Sequence, residues 1–416
     1  MGTRTPDPFS SADRSTVRAR PLTEVVLRMI WEHRRISRSD IARRAELSRS
    51  TVSEIVASLL DTGLVVESGT APSRGGRRPI VLEFNDDAYG ILGIEIGGAH
   101  VGVALTDLRG RTLHWVDVAH DVRDDPAGTR RLAIELCERV LAEWGRGTDQ
   151  ILGIGVGLPA PVDPSEPDRI SELVLPAWKG STGLDEIERH FDVPLLVDND
   201  ANLGALAERW WGAGKGIDDF AYIKVATGIG SGHLVGGQIY RGATGVAGEI
   251  GHVAIDPKGP RCVCGLHGCL TTFVGRPALF ARARILGQRH PESPLARTPD
   301  SMEVIENAAL NGDPAARQLV SEAARNLGIA VSGLLNLMNP GRIVIGGDLA
   351  RLGDLLLDPL REHIEQRTLL GALSTVPIMT SDLGPRTVAV GAATMILDAA
   401  LADSRLFPVV ARKEAQ

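Results

Sequence analysis

Long hydrophobic runs are missing from this chain of 416 residues. No stretch approaches the roughly 18 uninterrupted apolar residues that a bilayer span needs, and the first 20 residues carry four arginines in place of the apolar core of a secretory signal. No membrane partner is expected, and the cytoplasm is the expected compartment. Cysteine is also scarce: the four present are too few for a disulfide framework. Three of them, Cys262, Cys264 and Cys269, crowd into eight positions and point to metal chemistry in a reducing compartment, while Cys137 stands alone as a small buried hydrophobe. Lysine is absent from the first 80 residues, where 14 Arg face nine acids, whereas the rest of the chain holds 31 basic and 43 acidic residues. The net charge of −7 thus hides a small basic module ahead of a large acidic body. Arginine as the only strong cation of that module fits phosphate contacts or a solvated face, and an acidic body is poor nucleic-acid surface. With 43% hydrophobic and 23% charged side chains, whole-chain disorder is excluded, and the length suits two or three domains.

Residues 1–20, polar with Pro6, Pro8 and scattered Arg, read as a flexible tail. A helical pattern starts at Leu22, with Val26, Leu27, Ile30 and Trp31 in one stripe; a second stripe, Ile41, Ala42, Ala45 and Leu47, follows Ser37, whose Asp40 three residues on resembles a capping box. The third helix is the clearest: Ser48 is a good N-cap, Val52, Ile55, Val56 and Leu59 share one face, and Gly63 ends it. Its other face carries Arg49, Ser50, Ser53 and Ala57, side chains that are short or basic and fit a major groove. Two short strands, Leu64 to Val66 and Ile80 to Phe84, flank a loop with Arg74, Arg77 and Arg78. The order predicts a winged helix-turn-helix whose third helix reads bases and whose wing touches the minor groove or phosphates; a three-helix packing module without DNA is the alternative.

From about Gly90 the pattern becomes glycine-rich α/β. Ile91–Ile96, Gly97-Gly98 and Val101–Thr106 read as two strands around a glycine turn, with a third strand from Arg111; Ala221–Val225 followed by a Thr227–Gly232 turn and a strand pair through Tyr240 repeats the theme. The repeat predicts two related lobes facing a cleft. Long helices are expected over Thr129–Trp144, Ala201–Trp211 and Pro314–Leu337. Cys-x-Cys, four residues and Cys, with His252 ten residues ahead, supply three thiolates and an imidazole, a full tetrahedral set for a structural Zn2+ with no position left for a reactive water; a free-thiol cluster is the alternative on spacing alone.

The segments GIEIGG (93–98), GIGVGLPAPVD (153–163), VDNDAN (197–202), TGIGSG (227–232), GEIGH (248–252), CVCGLHGCL (262–270) and RIVIGGDLA (342–350) resemble, in this order, the ROK family of repressors, open reading frames and kinases. With its N-terminal module the whole chain resembles the ROK transcriptional regulators. The resemblance implies a two-lobed α/β, actin- and hexokinase-like (duplicated ribonuclease-H-like) domain after the winged helix-turn-helix. It implies that Asn199, Asp200, Glu249 and His252 bind sugar hydroxyls, with Asp200 the base if the chain is a kinase and a helix N-cap as the alternative reading of that residue. His252 could then hold zinc with one nitrogen and a hydroxyl with the other.

Several positions depart from the kinase pattern. Glu95 and Ala99 replace the Asp and Thr of the first phosphate loop, Ala160 a glycine, and Thr271 a sugar-binding Glu. Phosphoryl transfer depends on positioning, so these changes are costly. The expected domains are a tail (1–20), a winged helix-turn-helix (21–86), a ROK sugar-binding domain (88–402; lobe one about 88–200 plus the C-terminal helix, lobe two about 201–385) and a second tail (403–416). The expected function is a sugar-responsive DNA-binding transcriptional regulator of carbohydrate metabolism, a repressor, with a degenerate kinase site as effector sensor and no ATP use; the alternative is an active ATP-dependent sugar kinase with a DNA-binding appendage. Expected partners are double-stranded operator DNA, contacted by Arg49, Ser50, Thr51, Ser53, Arg77 and Arg78, a small sugar effector, and further copies of the chain as homodimer or homotetramer.

Overall fold

A computed structural model describes residues 22–70, 79–368 and 375–408. The expected tail 1–20, wing arginines Arg74, Arg77 and Arg78, and the last eight residues lie outside the described residues. In the N-terminal module, α1 (Leu22–His33), β1 (Ile36–Ser37), α2 (Arg38–Arg44), α3 (Arg49–Asp61), β2 (Val65–Thr70) and β3 (Ile80–Phe84) follow one another. The capping signals act as read: the Ser37 hydroxyl accepts from the amide of Asp40, and that of Ser48 from Thr51. Gly63 takes φ +75 after α3. The wing strands pair antiparallel, Val65 opposite Phe84, and β1 joins the far side of β3.

The following sheet contains β4 (Gly90–Ile96), β5 (His100–Thr106), β6 (Thr112–Ala119), β7 (Ile151–Leu158) and β8 (Leu195–Asn199) in the order β6-β5-β4-β7-β8. Helices α4 (Pro126–Trp144) and α5 (Asp185–Phe191) connect its strands, and α6 (Asp200–Trp211) leads out of it. A second five-stranded sheet is built from β9 (Phe220–Val225), β10 (Ile229–Val235), β11 (Gln238–Ile239), β12 (Ile343–Gly347) and β13 (Ile378–Thr380), ordered β11-β10-β9-β12-β13. Both sheets are an antiparallel three-strand meander whose first strand pairs in parallel with one later strand, which in turn pairs in parallel with the next. This is the duplicated ribonuclease-H-like arrangement expected of the two lobes. The second lobe adds α7 (Thr271–Val274), α8 (Arg276–Arg289), α9 (Met302–Leu310), α10 (Pro314–Met338) and α11 (Asp354–Glu365).

The last helix, α12 (Thr387–Ala402), lies against β4, β7 and α6. The segment Gly384–Ala402 is long and apolar enough to cross a membrane by composition, and 67% of its apolar window is buried inside the protein, which makes it a core helix. Its close approach explains the glycines of β4 and β7, because a Cβ on Gly93 or Gly155 would run into the α12 backbone.

One difference from the sequence reading concerns TGIGSG: only Ala226–Gly228 turns, with the Ala226 amide donating to the Gly228 carbonyl, and Ile229–Gly232 already belong to β10. Another concerns the C-terminal tail, expected from residue 403. Residues 404–406 form a helical turn, and Phe407 is fully buried against Phe84 and Tyr89. The N-terminal module shares this core. Val26, Leu27, Ile30, Leu82 and Phe84 pack in one cluster with Ile91, Leu152, Ile396 and Leu401, so module and first lobe have a common hydrophobic interior.

Candidate functional site

The cleft is built where β8 runs into α6. Asn199, the last strand residue, is the N-cap: its Oδ1 accepts from the amides of Ala201 (2.9 Å) and Asn202 (3.2 Å), and its Nδ2 donates to the Ala160 carbonyl at 3.1 Å. Asp200 is therefore the first helical residue, and the N-cap alternative for it is excluded. Behind it, buried Asp198 accepts from Arg241 Nε at 3.0 Å and from Asn202 Nδ2 at 3.0 Å.

The Asp200 carboxylate meets a partner from the second lobe. Lys224 of β9 donates from Nζ to Asp200 Oδ2 at 2.9 Å and to Glu95 Oε1 of β4 at 2.6 Å, and all three side chains are buried. Glu95 also lies 3.6 Å from His100 Nε2, whose Nδ1 is 2.6 Å from Asp117. Burial opposes ionisation of Glu95, but the charges of Lys224 and His100 hold it down at about 2. Burial likewise disfavours a charged His100, and the hydrogen bonds that its ring donates to Asp117 and Glu95 outweigh it, raising the imidazole to about 9. Lys224 is driven above its ordinary range by the two carboxylates in spite of its burial.

Glu249 stands across from this group. Burial, reinforced by the charge of Asp200, lifts its carboxyl to about 7. Its Oε2 is 3.8 Å from His252 Nε2, while Nδ1 of the same imidazole is 3.5 Å from Cys262 Sγ. The His252 ring thus faces the cleft with one nitrogen and the cysteines with the other. Ligand atoms of His252, Cys262, Cys264 and Cys269 all lie within 4.8 Å of one another. Three sulfurs and one nitrogen gathered in that space fit a tetrahedral zinc. Gly265 (φ +88) and Gly268 (φ +69) turn the loop around the cluster, and a Cβ on Gly268 would collide with the Asp256 carbonyl.

At the Gly97-Gly98 turn the two lobes touch: a Cβ on Gly98 would come 2.8 Å from the Thr227 side chain. After the Gly346-Gly347 pair, Asp348 receives two hydrogen bonds from Arg276, each of 2.7 Å. At the other end of the molecule α3 exposes Arg49, Ser50, Ser53 and Ala57. Thr51 is half-buried, its hydroxyl 2.8 Å from that of Ser48, and the Ser53 hydroxyl donates to the Arg49 carbonyl at 2.8 Å, so capping and the helix backbone engage both side chains. Arg77 and Arg78 are outside the described residues.

Sequence reasoning missed Lys224, His100 and Asp117. A signal existed for the lysine: it is the one charge in the otherwise apolar strand Phe220–Val225, and a charge in a buried strand requires a partner.

Comparison with known proteins adds to this geometry. The ROK family model matches residues 91–399, and the MarR family model matches residues 24–68. The xylose repressor of Caldicellulosiruptor bescii is 32% identical over 379 residues, covering 90% of this chain and 94% of that protein. The N-acetylglucosamine repressor of Escherichia coli O157:H7 is 29% identical over 383 residues, 90% of this chain and 92% of that protein. Among solved structures, a ROK family transcriptional regulator described as a homologue of the Escherichia coli MLC protein superposes with a TM-score of 0.79 at 29% identity, over 94% of this chain and 98% of that one. A ROK family glucokinase from Streptomyces griseus, solved with glucose and AMPPNP, gives 0.64 at 29% identity, over 74% of this chain and 98% of its own.

Proposed function

The chain belongs to the ROK family, with a MarR-type helix-turn-helix ahead of the ROK region, and on that premise we propose that it is a sugar-responsive transcriptional repressor of carbohydrate genes. The observation that carries this reading is a single element, α6, joining the two ends of the proposed mechanism. It begins at Asp200 in the cleft and runs about 18 Å to Trp210 and Trp211. There the indoles of Trp210 and Trp211 lie 5.1 and 6.1 Å from that of Trp31 in α1. The Arg109 guanidinium lies over the Trp31 ring at 4.7 Å, and the Trp31 indole N–H donates to the Leu108 carbonyl at 2.9 Å. Arg28 pairs with Asp398 of α12, and Glu24 accepts from the Ser404 hydroxyl at 2.8 Å. A sugar that binds one lobe arrangement better than another shifts the angle between lobes, and α6 carries the shift to α1 and hence to α3.

In this reading Arg49 and Ser50 contact bases from α3, with Arg77 and Arg78 of the wing on phosphate. A homodimer or homotetramer sets two recognition helices about 34–36 Å apart, one turn of DNA. Asp200, Glu249 and His252 bind effector hydroxyls, and Asn199 shapes the site as the cap of α6. Zinc, held by His252, Cys262, Cys264 and Cys269, would supply a structural crosslink and no reactive water. We place the DNA-binding domain over 21–86 and the sensor over 88–402, working in the cytoplasm. Enzymatic turnover is not assigned: Ala99 and Thr271 lack the kinase groups, and Glu95 and Asp200 are ion-paired with Lys224.

The test has two arms. Duplexes selected by the full chain from a random library should be released by one sugar out of a panel of pentoses, hexoses and N-acetylhexosamines, while the same panel with ATP yields no ADP. ADP formation at an ordinary enzymatic rate, with no duplex selected, would replace this reading with the kinase one.

A further inference from the structure

The buried ammonium of Lys224 has no role in the reading above beyond blocking chemistry, yet its surroundings carry more. It joins the two lobes at the floor of the cleft: Glu95 belongs to the first sheet, Asp200 to the helix that leaves it, and Lys224 to the second sheet. Its charge is fully consumed, since two carboxylates within 3 Å share it. Three further cations among the described residues are paired as well, Arg276 with Asp348, Arg241 with Asp198 and His100 with Asp117. Glu95 Oε2, in contrast, is buried with no hydrogen-bond partner among the described residues. The cleft therefore offers acceptors and holds back its cations. A sugar hydroxyl can donate to such acceptors, whereas the phosphate group of an ester replaces one such donor with acceptor oxygens and negative charge.

We propose that Lys224 is a positioning residue that sets effector specificity: it holds Asp200 in place as a hydroxyl acceptor and withholds a cation from phosphate, so that the effector is an uncharged, unphosphorylated sugar. This deepens the sugar-sensing reading and rests on it. The groups facing the ammonium are Glu95 of β4, His100 of β5 backed by Asp117 of β6, and Asp200 of α6, with Glu249 across the cleft. Without the ammonium, two buried carboxylates face one another with no cation between them, an arrangement that like-charge repulsion and burial disfavour and that acid relieves.

Calorimetric titration of the full zinc-loaded chain tests this with D-xylose, D-glucose, N-acetylglucosamine, glucose 6-phosphate and N-acetylglucosamine 6-phosphate. Wild type should bind a neutral sugar, and where that sugar's ester is in the set, at least tenfold tighter than the ester. Lys224→Met should bind the same neutral sugar at least tenfold more weakly at pH 5.5 and recover toward pH 8. The variant is read as a difference from wild type, because Glu249 titrates in both; Lys224→Arg, which keeps the charge, should follow the wild-type pH slope. Should Lys224→Met fail to fold, the arginine variant and the wild-type preference between sugar and ester still decide. An ester that binds as tightly as its parent sugar overturns the inference and leaves sugar sensing standing, as does a Lys224→Met protein with wild-type affinity and slope. If no compound of the set binds, both fall.

Discussion

At the scale of single residues, the cleft is a set of ion pairs that burial makes strict. Asp200→Asn is nearly isosteric and leaves Lys224 paired with Glu95, so the fold should survive, but one acceptor oxygen becomes a donor. Sugar affinity should fall at least tenfold in calorimetry, with DNA affinity in the absence of sugar unchanged. His100 gives a stability signature. Its imidazole is raised from 6.5 to about 9 in the folded chain, so its contribution is complete below about pH 6.5 and disappears as pH rises through 9. Melting curves of wild type and His100→Gln should therefore differ by about 1–3 kcal/mol near pH 6 and converge near pH 10; a constant difference would mean that the charge is not what stabilises. Asp200 and Glu249 were legible because each stands in a short motif of recognisable order. Lys224 was not, because its partner Glu95 lies 129 positions away, and only the fold brings the two strands together.

At the scale of elements, caps and turns decide what can be read. Ser37 and Ser48 mark their helices in the sequence because an N-cap uses only local atoms. The Thr227–Gly232 segment misled for the opposite reason: its glycines serve close packing within a strand, and a turn reading follows from composition alone. Gly232 abuts the backbone of Ala201 at the start of α6. The recognition helix yields a direct prediction. Arg49→Ala should cost about 1–3 kcal/mol on a specific duplex and relax preference at one base pair, whereas Arg77→Ala and Arg78→Ala should weaken binding to all duplexes alike, as read by anisotropy at fixed salt. For the thiol cluster, elemental analysis should find one zinc per chain, and Cys264→Ser should lose it together with several degrees of melting temperature. Unchanged metal content in that variant would remove zinc from the account.

At the scale of the whole molecule, the duplication was legible because two glycine-rich strand pairs recur, and the common strand order of the two sheets is its physical form. The joint between DNA-binding module and sensor was not legible. Trp31 reads as one more apolar residue of an amphipathic helix, and its contacts with Trp210, Trp211 and Arg109 come from segments far along the chain. That joint makes the proposed coupling testable. Binding at two sites is linked by one free energy, commonly 1–3 kcal/mol, and the linkage is reciprocal. If α6 transmits it through the indoles, Trp31→Leu should keep an apolar contact and the fold but lose the fixed geometry of the ring cluster. Sugar affinity of the free protein should stay within about threefold of wild type, since Asp200 lies roughly 18 Å away at the other end of α6. The factor by which sugar weakens duplex binding should shrink toward one, and the factor by which duplex weakens sugar binding should shrink equally. A variant that keeps the full wild-type factor in both directions would show that the lobes communicate with α3 by another route, with the shared core of Ile396, Leu401 and Phe407 as the remaining physical contact.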